Sequence, residues 1–238
     1  MYGFSPLKNH LLTRVGSEQV RKTLAAVNAK PAAMATLLKG TVKKLNPATT
    51  AVLMCDIQQR FTEIIYGFEA LVKCSGYLVK VANALDIPVV CTEQYPKAFK
   101  ATVPELAALI AAKEKNATFE KTLFSMATPE VLGHLEGLGV ESCVLCGLET
   151  HVCVLQTTLD LLDRGLQVHV CADAVSSQRP FDRSVALRRL ESAGAVLSTA
   201  ESVVFQLLKD SKHPAFKAVA PFVRKNAEDA KDSVLQAL

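Results

Sequence analysis

The chain has 238 residues, enough to bury the core of one large domain, and half of them are hydrophobic. No apolar run approaches the ~18 residues needed to span a bilayer, so we expect a soluble globular protein that does not act in a membrane. Seven cysteines are an odd number, and most lie in apolar stretches. This favours reduced thiols in a reducing compartment, with the cytoplasm as the expected location.

The net charge of +4 is concentrated at the N-terminus. Residues 1–45 contain eight Lys or Arg and one acid, whereas the remainder contains 19 basic and 22 acidic residues. This basic segment is either a helical extension on the domain surface or a mitochondrial presequence, and its composition leaves both open. We predict an N-terminal extension over 1–45, a domain over 46–225 and a solvated tail over 226–238.

From about residue 50, short apolar strands alternate with segments of helical periodicity. Strands are predicted at 50–56, 87–93, 116–121, 140–147, 166–173 and 194–199. Helices are predicted at 69–85, 129–137, 151–163, 181–192, 200–209 and 214–225. Because the strands are continuous apolar runs, helices should cover both faces of the sheet. The pattern predicts a three-layer α/β/α fold with a Rossmann-like, doubly wound, mostly parallel six-stranded sheet.

Three reactive side chains stand where predicted strands end or the next helix starts: Asp56, Lys121 and Cys153. Ligand sites in such sheets lie at the carboxyl ends of the strands. A helix that starts near His151, capped by Thr150, would stabilise a Cys153 thiolate and an oxyanion through its free amides. Alternatively, Cys153 is a small buried apolar residue, Asp56 a cap and Lys121 a solvated lysine.

Three segments carry a resemblance to a known family: MCDIQQRF, FEKTLFSM and CGLETHVCVLQTTLDLLDRG. They resemble the signature blocks of the isochorismatase-like cysteine hydrolases over about residues 48–222, and TEQYP and HPAFK are similar to the eukaryotic isochorismatase domain-containing proteins. The resemblance implies a catalytic triad of Asp56, Lys121 and Cys153. It also implies a cis peptide between Leu148 and Glu149, and an oxyanion hole formed by the amides of Glu149 and Cys153.

The same resemblance implies hydrolysis of a small amide, ureido or related carbonyl compound through a covalent intermediate on Cys153. Nicotinamidases of this superfamily hold a metal ion with histidines after the second strand, but residues 92–106 contain no histidine. We therefore expect no metal ion and no cofactor. Two alternatives remain open: a catalytically idle scaffold, and a ribonuclease-like protein, although the net acidic body does not favour binding of nucleic acid.

Other residues near the predicted strand ends are candidates for substrate contacts or for structural roles. The candidates for substrate binding are Gln58, Phe61, Glu93, Gln94, Tyr95 and Phe124. We expect Asp173 to cap a following turn, although a role in the site is the alternative. Cys143 and Cys146 match the pattern CxxC. On a strand, however, their sulfurs should point to opposite faces, so we do not expect a redox pair.

The C-terminal helices are rich in apolar residues, namely Phe205, Leu208, Phe216, Val219 and Phe222. One short helix face needs fewer apolar residues than this to cover its own sheet. We therefore expect a homo-oligomer, at least a dimer, as is common in the family that the chain resembles. The alternative is that these residues only close the domain.

Overall fold

The computed structural model describes residues 44–236, so the extension predicted over 1–45 lies almost entirely outside the described residues. The strands are β1 Thr50–Cys55, β2 Val89–Gln94, β3 Ala117–Lys121, β4 Ser142–Leu148, β5 Gln167–Ser176 and β6 Val196–Ser198. The helices are α1 Phe68–Ala84, α2 Pro96–Phe99, α3 Pro104–Ala111, α4 Pro129–Gly137, α5 Leu155–Asp163, α6 Pro180–Ser192, α7 Ala200–Leu208 and α8 Phe216–Ala230. No helix within 44–236 is long and apolar enough to cross a membrane.

The six strands form one parallel sheet in the order β3-β2-β1-β4-β5-β6. The chain winds outward from β1 in one direction and from β4 in the other, so the strand order reverses between these two neighbours. The carboxyl ends of β1 and β4 therefore flank the crevice in which ligands bind in open α/β sheets. The prediction of a doubly wound, Rossmann-like α/β fold is confirmed.

Helices bury one apolar cluster on each face of the sheet. One face packs against α1, α3, α7 and α8, and the other against α4, α5 and α6. Cys143 belongs to the second cluster and Cys146 to the first, so their side chains point to opposite faces of β4 as predicted. At about 25 cal/mol per Å² of apolar surface, burial on both faces is the main stabilising contribution of this architecture.

β4 approaches β1 closely at Gly147, which is paired with Cys55. Gly147 has φ 116°, and a Cβ atom placed there would lie 2.1 Å from the carbonyl oxygen of Cys55. Only glycine fits this position, both for its backbone conformation and for the space available. The close approach fixes the end of β1 relative to the turn that follows β4.

The structure differs from the sequence predictions at several places. α2 and α3, which begin at Pro96 and Pro104, were not predicted as helices. The segment 151–163 divides into a π-helical turn at Thr150–Val154 followed by α5. The predicted solvated tail over 226–238 is partly helical, because α8 continues to Ala230 and Leu235 is buried against the core.

The apolar residues that motivated the expectation of a homo-oligomer mostly pack within the domain. Leu208 and Val219 are buried in the core, and Phe216 and Phe222 pack against it. Phe205 is 45% exposed. Closure of the domain therefore explains four of the five residues, and association stays a prediction.

Candidate active site

Asp56 directly follows β1, and it is buried with a left-handed backbone conformation at φ 52°. A non-glycine residue in this region is uncommon and often marks a functional position. Its amide donates to the Thr92 carbonyl at 3.1 Å. The carboxylate oxygen Oδ1 accepts a hydrogen bond from the Thr92 hydroxyl at 2.8 Å, and Oδ2 faces the Lys121 ammonium at 2.7 Å. The carboxylate is thus held in one orientation by two donors.

Lys121 ends β3, and its side chain is buried against the Asp56 carboxylate. Its Nζ also donates to Gln94 Oε1 at 2.7 Å and to the carbonyls of Leu123 and Phe124 at 3.1 and 3.0 Å. Burial acts to lower the pKa of Lys121, but the acidic groups of Cys55, Asp56 and Cys153 outweigh it and raise this pKa above its ordinary value. The lysine is therefore charged at neutral pH, and it ties the loop after β3 to the site.

Cys153 lies in the π-helical turn between β4 and α5, with its side chain directed to the same place. The sulfur of Cys153, the sulfur of Cys55 and a carboxylate oxygen of Asp56 all lie within 4.8 Å of one another. The Thr157 hydroxyl donates to the Cys153 carbonyl at 2.6 Å and accepts the Met126 amide at 2.8 Å, which anchors the turn. π-Helical turns are frequent at functional sites. Side chains from the ends of β1, β3 and β4 thus converge on one buried point.

The turn itself differs from the predictions in two respects. Among residues 44–236 every peptide bond is trans, so the cis peptide expected between Leu148 and Glu149 is not present. Thr150 does not cap the turn, since its buried hydroxyl has no hydrogen-bond partner. Instead, the Glu149 carbonyl accepts hydrogen bonds from the amides of Val152 and Val154. The bond from Val154 spans five residues, which is the pattern of a π-turn.

Glu149 also has a structural task, because its side chain accepts hydrogen bonds from the amide and the side chain of Gln178 at 3.0 and 3.3 Å. The adjacent His151 contacts the Ser177 hydroxyl at 2.9 Å. These contacts link the turn after β4 to the segment that leads into α6.

Asp173 lies in β5, and its carboxylate caps α7 by accepting a hydrogen bond from the Ala200 amide at 2.9 Å, which agrees with a structural role.

The six candidate substrate residues do not share one environment. Gln58 is fully buried and bonds to the backbone of Gln94 and Lys100, and Glu93 accepts the amide and hydroxyl of Thr102. Phe61 stacks on Phe99 with ring centroids 5.0 Å apart. These three residues therefore support the loops around the site.

The other three candidates are Gln94, Tyr95 and Phe124. Gln94 bonds to Lys121, whereas Tyr95 and Phe124 are about half exposed. A cavity of about 330 Å³ opens beside Lys121, and it is lined by Tyr95, Pro96, Glu120, Lys121, Thr122, Leu123, Thr128, Pro129 and Glu130. Cys153 and Asp56 do not line this cavity, which borders the cluster at Lys121.

Cys55, Asp56 and Cys153 are of types that bind metals, and their ligand atoms are close enough to share an ion. The Lys121 ammonium lies 2.7 Å from the same carboxylate, however, and it repels a cation at that point. The donor set therefore does not fit a resident divalent metal, and the chemistry of this cluster is that of a thiol, a carboxylate and an ammonium.

Sequence reasoning missed two residues of the site, Cys55 and Thr92. Both are paired in the register of the sheet, since Cys55 lies beside Thr92 on β2 and beside Gly147 on β4. Cys55 precedes Asp56 in the sequence, but it ends an apolar strand, and this pattern predicts a core residue. The sheet order could have identified Thr92, because a hydroxyl at the end of the neighbouring strand faces the same edge.

Comparison with known proteins agrees with the observed fold, and the matched region contains the three segments quoted from the sequence. The profile of the isochorismatase domain matches residues 50–202. Isochorismatase family protein 1A from Dictyostelium discoideum is 45% identical over 192 residues, which cover 79% of this chain and 92% of that protein. Isochorismatase domain-containing protein 2 from Bos taurus is 44% identical over 185 residues, covering 77% and 87% respectively.

Among solved structures, one described as the MAR1 ribonuclease from Caenorhabditis elegans superposes with a TM-score of 0.76. It is 41% identical and covers 82% of this chain and 98% of that chain. The YcaC protein from Pseudomonas aeruginosa is 23% identical with a TM-score of 0.71, which shows the fold alone. The alignments thus cover most of the length of each of these relatives.

Proposed function

Because this chain belongs to the isochorismatase family, we propose that it is a cysteine hydrolase that cleaves the C–N bond of a small amide or ureido compound. The observation that carries the proposal is the convergence of Asp56, Lys121 and Cys153 on one buried point. Two of these side chains are joined at 2.7 Å, and the third has its sulfur within 4.8 Å of the carboxylate. A nucleophile beside a base that is itself oriented by a third group is the signature of covalent catalysis.

Each residue has a role set by its contacts. Asp56 accepts the proton of the Cys153 thiol, and the thiolate attacks the substrate carbonyl carbon to form a tetrahedral oxyanion. The amides of Glu149 and Cys153 are the proposed donors to this oxyanion, whereas the amides of Val152 and Val154 are already bonded to the Glu149 carbonyl. Protonated Asp56 returns the proton to the leaving amine. A water deprotonated by the same carboxylate then hydrolyses the thioester.

Lys121 orients the base through the whole cycle. Its charge balances the ionised Asp56 before attack and the thiolate that forms next, in a place that is shielded from bulk solvent. Its bonds to Gln94 and to the backbone after β3 keep the ammonium in position when the carboxylate changes protonation. The substrate enters beside Tyr95 and Leu123, through the cavity next to Lys121.

A panel of small primary amides and ureido acids tests the proposal by release of ammonia. We expect turnover by the parent protein, a loss of at least about a thousandfold in Cys153→Ala, and parent-like rates in Cys143→Ala. Cys143 is a suitable control because it is buried in the apolar cluster away from Asp56. Equal rates for Cys153→Ala and the parent would overturn the proposal. Absence of turnover across the panel would favour a scaffold.

A ribonuclease-like activity is the second candidate, and the observation that favours it is the 41% identity to the structure described as a ribonuclease. The full chain carries the basic segment 1–45, which is the part with an electrostatic preference for RNA. Cleavage of a labelled RNA by the parent, but not by Asp56→Asn or Cys153→Ala, would support this function. Cleavage that survives in both variants would assign the activity to a contaminant and contradict it.

A further inference from the structure

Cys55 is a second thiol inside the cluster, and the proposed hydrolysis does not use it. It is the last residue of β1, it is fully buried, and its sulfur lies 3.4 Å from Asp56 Oδ2. Its sulfur also lies within 4.8 Å of the Cys153 sulfur. Both side chains belong to the same apolar cluster on one face of the sheet. The two thiols thus lie close to the same carboxylate and on the same face of the sheet.

We propose that Cys55 is the resolving thiol of a peroxide-sensitive switch, which converts an oxidised Cys153 into a reversible Cys55–Cys153 disulfide. The inference rests on the proposed function only in taking Cys153 as the reactive thiol. In the disulfide form the nucleophile is blocked, and a thiol reductant restores it. Irreversible oxidation of the nucleophile is thereby avoided.

The order of oxidation follows from exposure. Cys153 is 7% exposed, whereas Cys55 is fully buried, so a peroxide that reaches the cluster from solvent meets Cys153 first. Burial, then the hydrogen bond to Cys153 and the charge of Asp56, raise the pKa of the Cys55 thiol well above its ordinary value. Cys55 is therefore protonated and unreactive toward peroxide until a sulfenic acid forms beside it.

The steps balance with one peroxide as the oxidant. Asp56 accepts the Cys153 thiol proton, the thiolate attacks one peroxide oxygen, and the O–O bond breaks to give a sulfenic acid. Asp56 returns the proton to the other oxygen, which leaves as water or an alcohol. The Cys55 sulfur then attacks the sulfenic sulfur, its proton passes to Asp56, and hydroxide leaves and takes up that proton as water. Two thiols lose two electrons in total, and the peroxide gains both.

The geometry allows the bond after a small movement. A disulfide needs sulfurs about 2.05 Å apart, so the two side chains must rotate toward each other. Cys153 lies in a π-helical turn, which is less regular than the strand that holds Cys55. We expect the movement to occur on the side of Cys153. Cys143 and Cys146 offer no such pair, because their sulfurs point to opposite faces of β4.

Peptide mapping after treatment with stoichiometric hydrogen peroxide tests the proposal without any substrate. In the parent protein we expect a cross-linked peptide that joins Cys55 to Cys153 and has lost two hydrogens. After addition of dithiothreitol, Cys153 should again be available to iodoacetamide. Parent Cys153 that becomes sulfinic acid without a cross-link, or that is not oxidised at all, would overturn the proposal.

Cys55→Ala and Cys143→Ala form the matched pair of variants, each removing one buried thiol from the same cluster. In Cys55→Ala treated with about a tenfold excess of hydrogen peroxide, we expect the Cys153 thiol recovered by dithiothreitol to fall about tenfold below that of the parent after the same treatment, because a second peroxide converts the sulfenic acid to sulfinic acid. Cys143→Ala should recover as the parent does. Equal recovery in both variants contradicts the proposal, and if Cys55→Ala does not fold, the parent peptide map alone decides.

The outcome is separable from that of the proposed function. A cross-link in a protein that hydrolyses no amide would support the switch and contradict only the hydrolase proposal. Amide hydrolysis without any cross-link would support the hydrolase proposal and contradict the switch.

Discussion

The Asp56 carboxylate and the Lys121 ammonium form a buried ion pair at 2.7 Å, although 65 residues separate them in the chain. The pair exists because β1 and β3 both end at the same edge of the sheet, with β2 between them. Removing one partner of a buried pair leaves an uncompensated charge, whereas an exposed pair contributes little. This contrast gives the first prediction.

Lys121→Met should lower the free energy of unfolding by about 3–5 kcal/mol and abolish hydrolysis, because Asp56 loses its buried counter-ion. The control is Lys73→Met, which removes an exposed partner of Glu69 at 2.6 Å and should leave stability almost unchanged. Urea denaturation at neutral pH measures both variants. A similarly small decrease in the free energy of unfolding of both variants would show that the Asp56–Lys121 pair does not stabilise the site.

Thr92 is a positioning residue for the base, since its hydroxyl donates to Asp56 Oδ1 at 2.8 Å. Thr92→Val keeps the shape but removes this donor, and we expect kcat to fall about ten- to a hundredfold with little change in KM. Thr92→Ser retains the hydroxyl and should recover most of the rate. If valine and serine behave alike, the effect is one of packing, and the positioning role is wrong.

Gly147 should be irreplaceable because of its closeness to Cys55. Gly147→Ala places a Cβ atom 2.1 Å from the Cys55 carbonyl, so we expect a loss of about 4 kcal/mol or more, or failure to fold. Gly139 also has a positive φ, but a Cβ atom there meets nothing within 4 Å. Gly139→Ala should therefore lose only about 1–2 kcal/mol through backbone strain. Comparable thermal shifts for the two variants would argue against close packing of β4 on β1.

The pH dependence of stability should separate Asp173 from Asp86. Burial raises the pKa of Asp173 in the folded protein, so its contribution to the free energy of unfolding falls as pH rises through this pKa. Asp173→Asn keeps an oxygen for the Ala200 amide and removes the titration. Its stability relative to the parent should therefore increase between about pH 4 and pH 7.

Asp86→Asn is the matched control with the opposite sign. The hydrogen bond from Lys115 lowers the pKa of Asp86, so this residue contributes stability above its ordinary pKa and loses it as pH falls. Asp86→Asn should therefore become less stable relative to the parent as pH rises. Urea denaturation at the two pH values measures both variants, and a shift in the same direction for both would contradict the assignment.

The sequence predicted the sheet well because each strand is a continuous apolar run bounded by a turn. The strand predicted at 116–121, for example, is observed at Ala117–Lys121. The convergence of Asp56, Lys121 and Cys153 follows from strand order together with the family blocks. Periodicity alone does not give strand order, since a run of apolar residues does not specify its neighbours in the sheet.

The rest of the site depends on irregular backbone and on cross-strand neighbours. The π-turn at Thr150–Val154 depends on hydrogen bonds to the Glu149 carbonyl. No pattern of residue types predicts these backbone bonds. Polar side chains near a strand end often satisfy nearby backbone groups rather than a substrate, as the buried Gln58 and the half-buried Glu93 do here. Cys55 was hidden by the same apolar pattern that made β1 easy to find.

The central claim is that Cys153 is the reactive nucleophile, and brief alkylation with limiting iodoacetamide at neutral pH tests it most directly. Burial raises the pKa of the other six thiols, to about 12 for Cys91, Cys143 and Cys146 and well above the ordinary value for Cys55, Cys74 and Cys171. We predict that peptide mass spectrometry finds Cys153 labelled first, at least about tenfold faster than any other cysteine. First labelling of Cys74, Cys143 or Cys146 would contradict the claim.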